Sequence, residues 1–96
     1  MKLYVYIVTT NDDNVLHVGY CTDLKRTIKF YKELPNLELE TDYNRLVYVE
    51  EHPNEESAIN RFNELMQTPR EIKEFIIEGV NPEWVELVPG VNFDLI

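Results

Sequence analysis

Ninety-six residues suffice for one hydrophobic core and are too few for two, and a composition 44% hydrophobic and 11% aromatic excludes a disordered chain. A formal net charge of −9 argues against avid, sequence-independent binding of DNA or RNA, whose affinity comes from neutralising phosphates. The charge is unevenly spread: residues 1–32 carry five bases and three acids, residues 33–96 four bases and fifteen acids.

The first apolar run, Leu3 to Val8, is aromatic and β-branched, and a second runs from Val15 to Gly19. The turn formers Thr9 to Asn14 lie between them, a pattern that predicts a β-hairpin. Tyr4 and Tyr6 share one face of the first strand and Leu3, Val5 and Ile7 the other, so the strand is suited to being covered on both sides. Thr22 or Asp23 can cap a helix running to about Leu34, where Pro35 stops it. Leu24, Ile28, Tyr31 and Leu34 fall at core spacing on that helix, and Lys25, Lys29 and Lys32 form a separate basic stripe.

Pro35 to Asn44 reads as a polar, acidic loop, and Arg45 to Glu51 as a third strand. After His52-Pro53, Asn54 can cap a second helix whose first turn holds Glu55 and Glu56, as the helix dipole prefers. Its apolar face comprises Ala58, Ile59, Phe62, Leu65 and Met66. Thr68-Pro69-Arg70-Glu71 reads as a helix start with a capping Thr and Pro at the first position; this helix ends near Gly79. The order β-β-α-β-α-α implies a single, mixed α/β layer domain with a three-stranded sheet flanked by helices.

Cys21 is the single cysteine, so it has no internal disulfide partner and suits a reducing compartment; it reads as an inert residue near a helix start. No apolar run reaches the ~20 residues of a membrane span, and the polar residues after Val8 interrupt any signal-peptide pattern. The expected setting is cytoplasmic, with no membrane partner.

Together these segments resemble the GIY-YIG nuclease superfamily, particularly its small single-domain bacterial members. Val5-Tyr6-Ile7 on the first strand approximates the first signature and His17-Val18-Gly19 on the second strand the other. Thr22-Asp23-Leu24, Leu46-Val47-Tyr48 and Asn81-Pro82-Glu83-Trp84 extend the likeness over almost the whole chain. The resemblance implies metal-dependent DNA cleavage: a Glu on the helix after strand three holds the metal, an Arg on the first helix stabilises the phosphate, and two Tyr position or activate water. A hard cation favours a carboxylate, and developing phosphorane charge a guanidinium.

At the matching positions this chain departs from that pattern. The Arg position falls on Thr27, the Glu position on Phe62 and the second Tyr on His17; Tyr6 and Gly19 stand unchanged. Arg26 is adjacent to the Arg position, but one residue turns a side chain by about 100°. The expectation is a degenerate member with no catalytic residues, metal or cofactor, acting by binding a protein partner or itself.

Two alternatives stay open. A relocated nuclease site would use Mg²⁺ or Mn²⁺ and draw on Arg26 with Glu56 or Glu64, converging on Tyr6 and His17, where His17 would be a general base rather than a hydrogen-bonded spacer. A weak nucleic-acid binder would contact phosphates through Lys25, Arg26, Lys29 and Lys32, a stripe that otherwise reads as a solvated helix face. Glu55, Glu56 and the Glu50-Glu51-His52 run have the residue types of metal ligands. They are expected instead to be first-turn dipole charges and a solvated strand end.

Overall fold

A computed structural model describes residues 2–10, 15–33 and 45–87, with the side chains of 32 and 33 outside that description. Three strands, β1 (Leu3–Thr9), β2 (Leu16–Cys21) and β3 (Arg45–His52), and three helices, α1 (Leu24–Glu33), α2 (Glu55–Gln67) and α3 (Arg70–Val80), follow in the expected β-β-α-β-α-α order. The sheet is antiparallel in the order β2-β1-β3, so β1 is central.

All seven residues of β1 are buried because both faces are covered. Leu3, Val5 and Ile7 pack with Val18, Tyr48, Ala58, Leu65, Ile77 and Trp84, which puts α2 and α3 on one face. Tyr4, Tyr6 and Val8 pack with Leu24, Leu46, Ile28 and Tyr31, which puts α1 on the other. Truncating a fully buried side chain such as Leu65 to Ala is expected to cost about 2–5 kcal/mol, from lost transfer energy and the cavity left behind.

The helix starts follow local hydrogen-bond chemistry. Asp23 caps α1, its Oδ1 accepting from Arg26 N at 3.1 Å and its carbonyl from Thr27 N at 3.1 Å. Asn54 caps α2, its Oδ1 accepting from Ser57 N at 2.8 Å. Thr68 does not cap α3: its hydroxyl turns back to the Glu64 carbonyl at 2.7 Å and its N–H closes the end of α2. Pro69 holds the N-cap position of α3 without a side-chain hydrogen bond, and α3 continues past Gly79 to Val80. Strand β2 extends two residues past Gly19, to Cys21. Leu34 and the loop 35–44 lie outside the described residues.

A bulge shifts the β1–β3 register between Ile7 and Val8, where Ile7 pairs with Tyr48 but Val8 with Leu46. The segment after α3 ties onto this irregular edge. The buried Asn81 amide donates to the Val47 carbonyl at 3.0 Å and to the Val85 carbonyl at 2.9 Å, while its oxygen accepts from Val85 N at 3.1 Å. Leu87 N donates to the Leu46 carbonyl at 2.8 Å, and Arg45 donates to the Trp84 carbonyl at 3.2 Å. Trp84 takes φ 54°, a left-handed conformation costly for a bulky residue; the surrounding bonds and its buried ring hold it there. Among the described residues no helix is long and apolar enough to cross a membrane.

Candidate functional site

Two polar clusters lie on opposite faces of the sheet. On the α1 face, Tyr6 pairs in register with Gly19 and the neighbouring Val8 with His17. A Cβ on Gly19 would collide with the Tyr6 phenol, so the glycine lets that ring lie flat across β2. The Tyr6 hydroxyl shares a 3.1 Å hydrogen bond with the Tyr31 hydroxyl, and the His17 ring meets the Tyr31 ring edge-on at 6.0 Å. Burial, then the Tyr31 hydrogen bond, push the Tyr6 phenol far above the usual tyrosine range. Burial also holds His17 below its ordinary value. Both groups therefore favour their neutral forms, and burial likewise pushes the Cys21 thiol up, away from the reactive thiolate.

Thr27 spends its hydroxyl on the Asp23 carbonyl at 2.8 Å. Lys25, Arg26 and Lys29 are exposed along α1, and Arg26 and Thr27 border a hollow of about 350 Å³ with Phe30 and Tyr31. The side chain of Lys32 is not among those described. The structure thus groups Tyr6, His17 and Gly19 on one sheet face beside the helix carrying Thr27 and Arg26.

Phe62 is elsewhere. It packs with the α2-face core and meets Tyr20 edge-on at 5.1 Å, on the opposite side of the sheet from Tyr6. An aromatic ring in apolar contact offers a divalent cation no donor, so the residue at this position does not fit the metal that a GIY-YIG nuclease requires. Glu64 pairs with Arg61, and Glu56 borders a hollow with Arg61 and His52 on the α2 face, so neither reaches Tyr6 and His17. Among the described residues no three His, Cys, Asp or Glu side chains come together as a metal site.

The second cluster corrects the expectation of a solvated end to β3. Glu51 is exposed and pairs with Lys2 at 2.9 Å, but Glu50 and His52 are half-buried on the α2 face. Arg61 grips the Glu50 carboxylate from Nε at 3.1 and 2.9 Å and from Nη2 at 2.8 Å. The Tyr48 hydroxyl also donates to Glu50. His52 bridges Glu50, through Nε2 at 2.9 Å, and Ser57, through Nδ1 at 2.7 Å.

Burial alone would raise the Glu50 pKa. The hydrogen bonds from Arg61, Tyr48 and His52 outweigh it, and the carboxyl is held below its ordinary range. Glu50 in turn raises Arg61, and burial followed by the bond to Glu50 pushes Tyr48 up to about 12.

Sequence reasoning passed over Arg61, Ser57 and Tyr48. Their signal is present in hindsight: Tyr48, Glu50 and His52 alternate onto one strand face, and Ser57 and Arg61 stand four residues apart on one helix face.

No protein-family model and no curated protein matches the chain. It is similar to the UPF0213 protein BH0048 from Bacillus halodurans, whose structure was solved by NMR in solution. The identity is 28% and the TM-score 0.58, over 88% of this chain and 90% of that one. This likeness supports the GIY-YIG-like fold that the motifs led us to expect.

Proposed function

We propose that the chain is a GIY-YIG-like protein without nuclease chemistry that works by binding a protein partner or a second copy of itself, through the outer face of α3. The observation that carries this reading is the apolar exposure of that helix. Phe75 is 77% exposed, Val80 69% and Ile72 51%, although α3 already buries Ile77 and packs Ile76 against the core. Ile72 and Phe75 lie one helical turn apart and form a contiguous stripe, unlike the singly scattered apolar residues of ordinary surfaces. Glu71 and Glu78 border the stripe along one side, where Glu74 is already paired with Arg70, so a basic partner would be steered toward it. Phe62 in place of a metal-holding carboxylate supports the other half of the reading.

The test of binding is a benzoylphenylalanine crosslinker at position 75 of the full chain in the cells that make it. A discrete adduct that disappears with Ile72→Glu supports the reading, and absence of any discrete adduct overturns it. The nuclease half is tested with labelled duplex and branched DNA, in Mg²⁺ or Mn²⁺ against EDTA. Metal-dependent cutting that is lost with Arg26→Ala would overturn it. A shifted but uncut band that vanishes with added salt would instead identify the α1 stripe as a phosphate-binding face.

A further inference from the structure

The Glu50–His52–Ser57 chain has a definite hydrogen-bond polarity. Glu50 is clamped by Arg61 and Tyr48 and stays ionised, so it can only accept. His52 therefore presents Nε2–H to Glu50 at 2.9 Å. In the neutral ring that leaves the Nδ1 lone pair facing Ser57 Oγ at 2.7 Å, so the serine hydroxyl donates to it. A hydroxyl donating to an imidazole, which is itself oriented by a carboxylate, is the arrangement that activates a serine nucleophile. Here the two ring nitrogens have exchanged the roles they have in chymotrypsin-like triads.

The serine also has room for a reacting group. Ser57, His52, Asn54, Asn60, Arg61 and Glu64 border an open hollow of about 490 Å³. The two asparagines carry amide N–H groups, the donor type that stabilises a developing oxyanion. Glu56 and Glu64 on its rim outnumber Arg61 and disfavour anionic acyl groups.

We infer that Ser57, with His52 as general base and Glu50 as positioning residue, forms an acyl-transfer site for small uncharged or cationic carboxylic esters. Ser57 Oγ attacks the ester carbonyl while its proton passes to His52 Nδ1. The ester C–O bond breaks, and the imidazolium gives that proton to the departing alkoxide. Water then attacks the acyl-serine and loses a proton to His52. The bond from the acyl carbon to Ser57 Oγ breaks, and Ser57 recovers its proton, so an alcohol and a carboxylic acid leave.

This site lies on the sheet face opposite Tyr6 and His17, and its chemistry is independent of the binding role proposed for α3. The test is reaction of the full chain with excess p-nitrophenyl acetate, reading the p-nitrophenol burst and locating the acetyl group by peptide mass spectrometry. The expected result is acetyl on Ser57, no burst from Ser57→Ala, and acylation slowed by about 100-fold or more in His52→Gln. Acetyl found only on lysine or tyrosine, or a burst that persists in Ser57→Ala, overturns the inference. The wild-type mass map decides the matter even if a variant fails to fold.

Discussion

Both faces of this sheet bury a neutral tyrosine among polar neighbours, but only the α2 face sets an ionised pair beside it. On the α1 face, every influence on Tyr6 raises it: burial first, then Tyr31 and Cys21. On the α2 face, Tyr48 and His52 both meet the Glu50 carboxylate, and Arg61 helps keep that half-buried group ionised against the pull of burial. One arginine thus separates a neutral aromatic cluster from a charged relay. Burial alone silences polar groups, whereas burial with a paired counter-charge orients them.

The largest expected effect comes from removing that arginine. Arg61→Ala would leave Glu50 half-buried with its strongest partner gone. We expect a loss of about 3 kcal/mol in urea denaturation, the low end for a broken buried pair. The low end applies because the two side chains keep 26% and 20% of their exposure. Adding Glu50→Ala should cost less than the two single losses together, because the double variant strands no charge. Strict additivity would show that the pair is a surface ornament and that the contrast between the faces is false.

On the neutral face the comparable break is steric. Gly19→Ala drives a methyl into the Tyr6 ring, which must leave its place over β2 and give up its bond to Tyr31. Overpacking of this kind costs about 2 kcal/mol. Tyr6 ring resonances should shift in NMR spectra while those of Tyr48 stay put. Shifts of equal size on both faces would mean that the central strand transmits the strain across the sheet.

The fold was legible in the sequence because its determinants are local. The aromatic, β-branched run Leu3–Val8, the Asp23 and Asn54 caps and Pro69 each mark an element by rules that act within a few residues. The α1-face residues were legible through motif spacing. The relay was not, since Glu50 and Arg61 are eleven positions apart and only the seating of α2 across the sheet brings them together. Met66 shows the same limit in reverse: its spacing suits the core, yet it is 54% exposed because α2 turns that edge away from the sheet. Thr68 was misread because its hydroxyl had two backbone partners within reach, and the preceding helix won.

Acid should separate the faces with a smaller effect than either substitution. The folded pKa of His17 lies below its unfolded value, so the unfolded chain takes up a proton first as pH falls through about 6.5. Stability present above that pH is lost as pH drops toward the folded pKa. Glu50 follows the same sign lower down. Its folded pKa is also depressed, so its contribution is complete above about 4.3 and declines as pH falls toward its folded pKa. His17→Gln should flatten the upper limb of a pH–stability curve, and Glu50→Gln the lower. A variant that flattens the wrong limb would reverse the assignment of charge states to the two faces.

The smallest change is the most selective test of the contrast. Tyr31→Phe removes one hydroxyl and leaves the ring that packs against Tyr6, His17 and Phe30. Tyr6 loses a neutral hydrogen bond, worth about 1 kcal/mol or less. No ionised group is lost, so the lower acid limb should be superimposable on the wild type, whereas Arg61→Ala should make it shallower. Tyr6 should also stay neutral throughout the accessible pH range, since burial is the larger cause of its shift and the ring packing is intact. A changed lower acid limb in Tyr31→Phe would mean that the α1 face shares the charge network of Glu50. The two clusters would then be one coupled system reaching through the central strand.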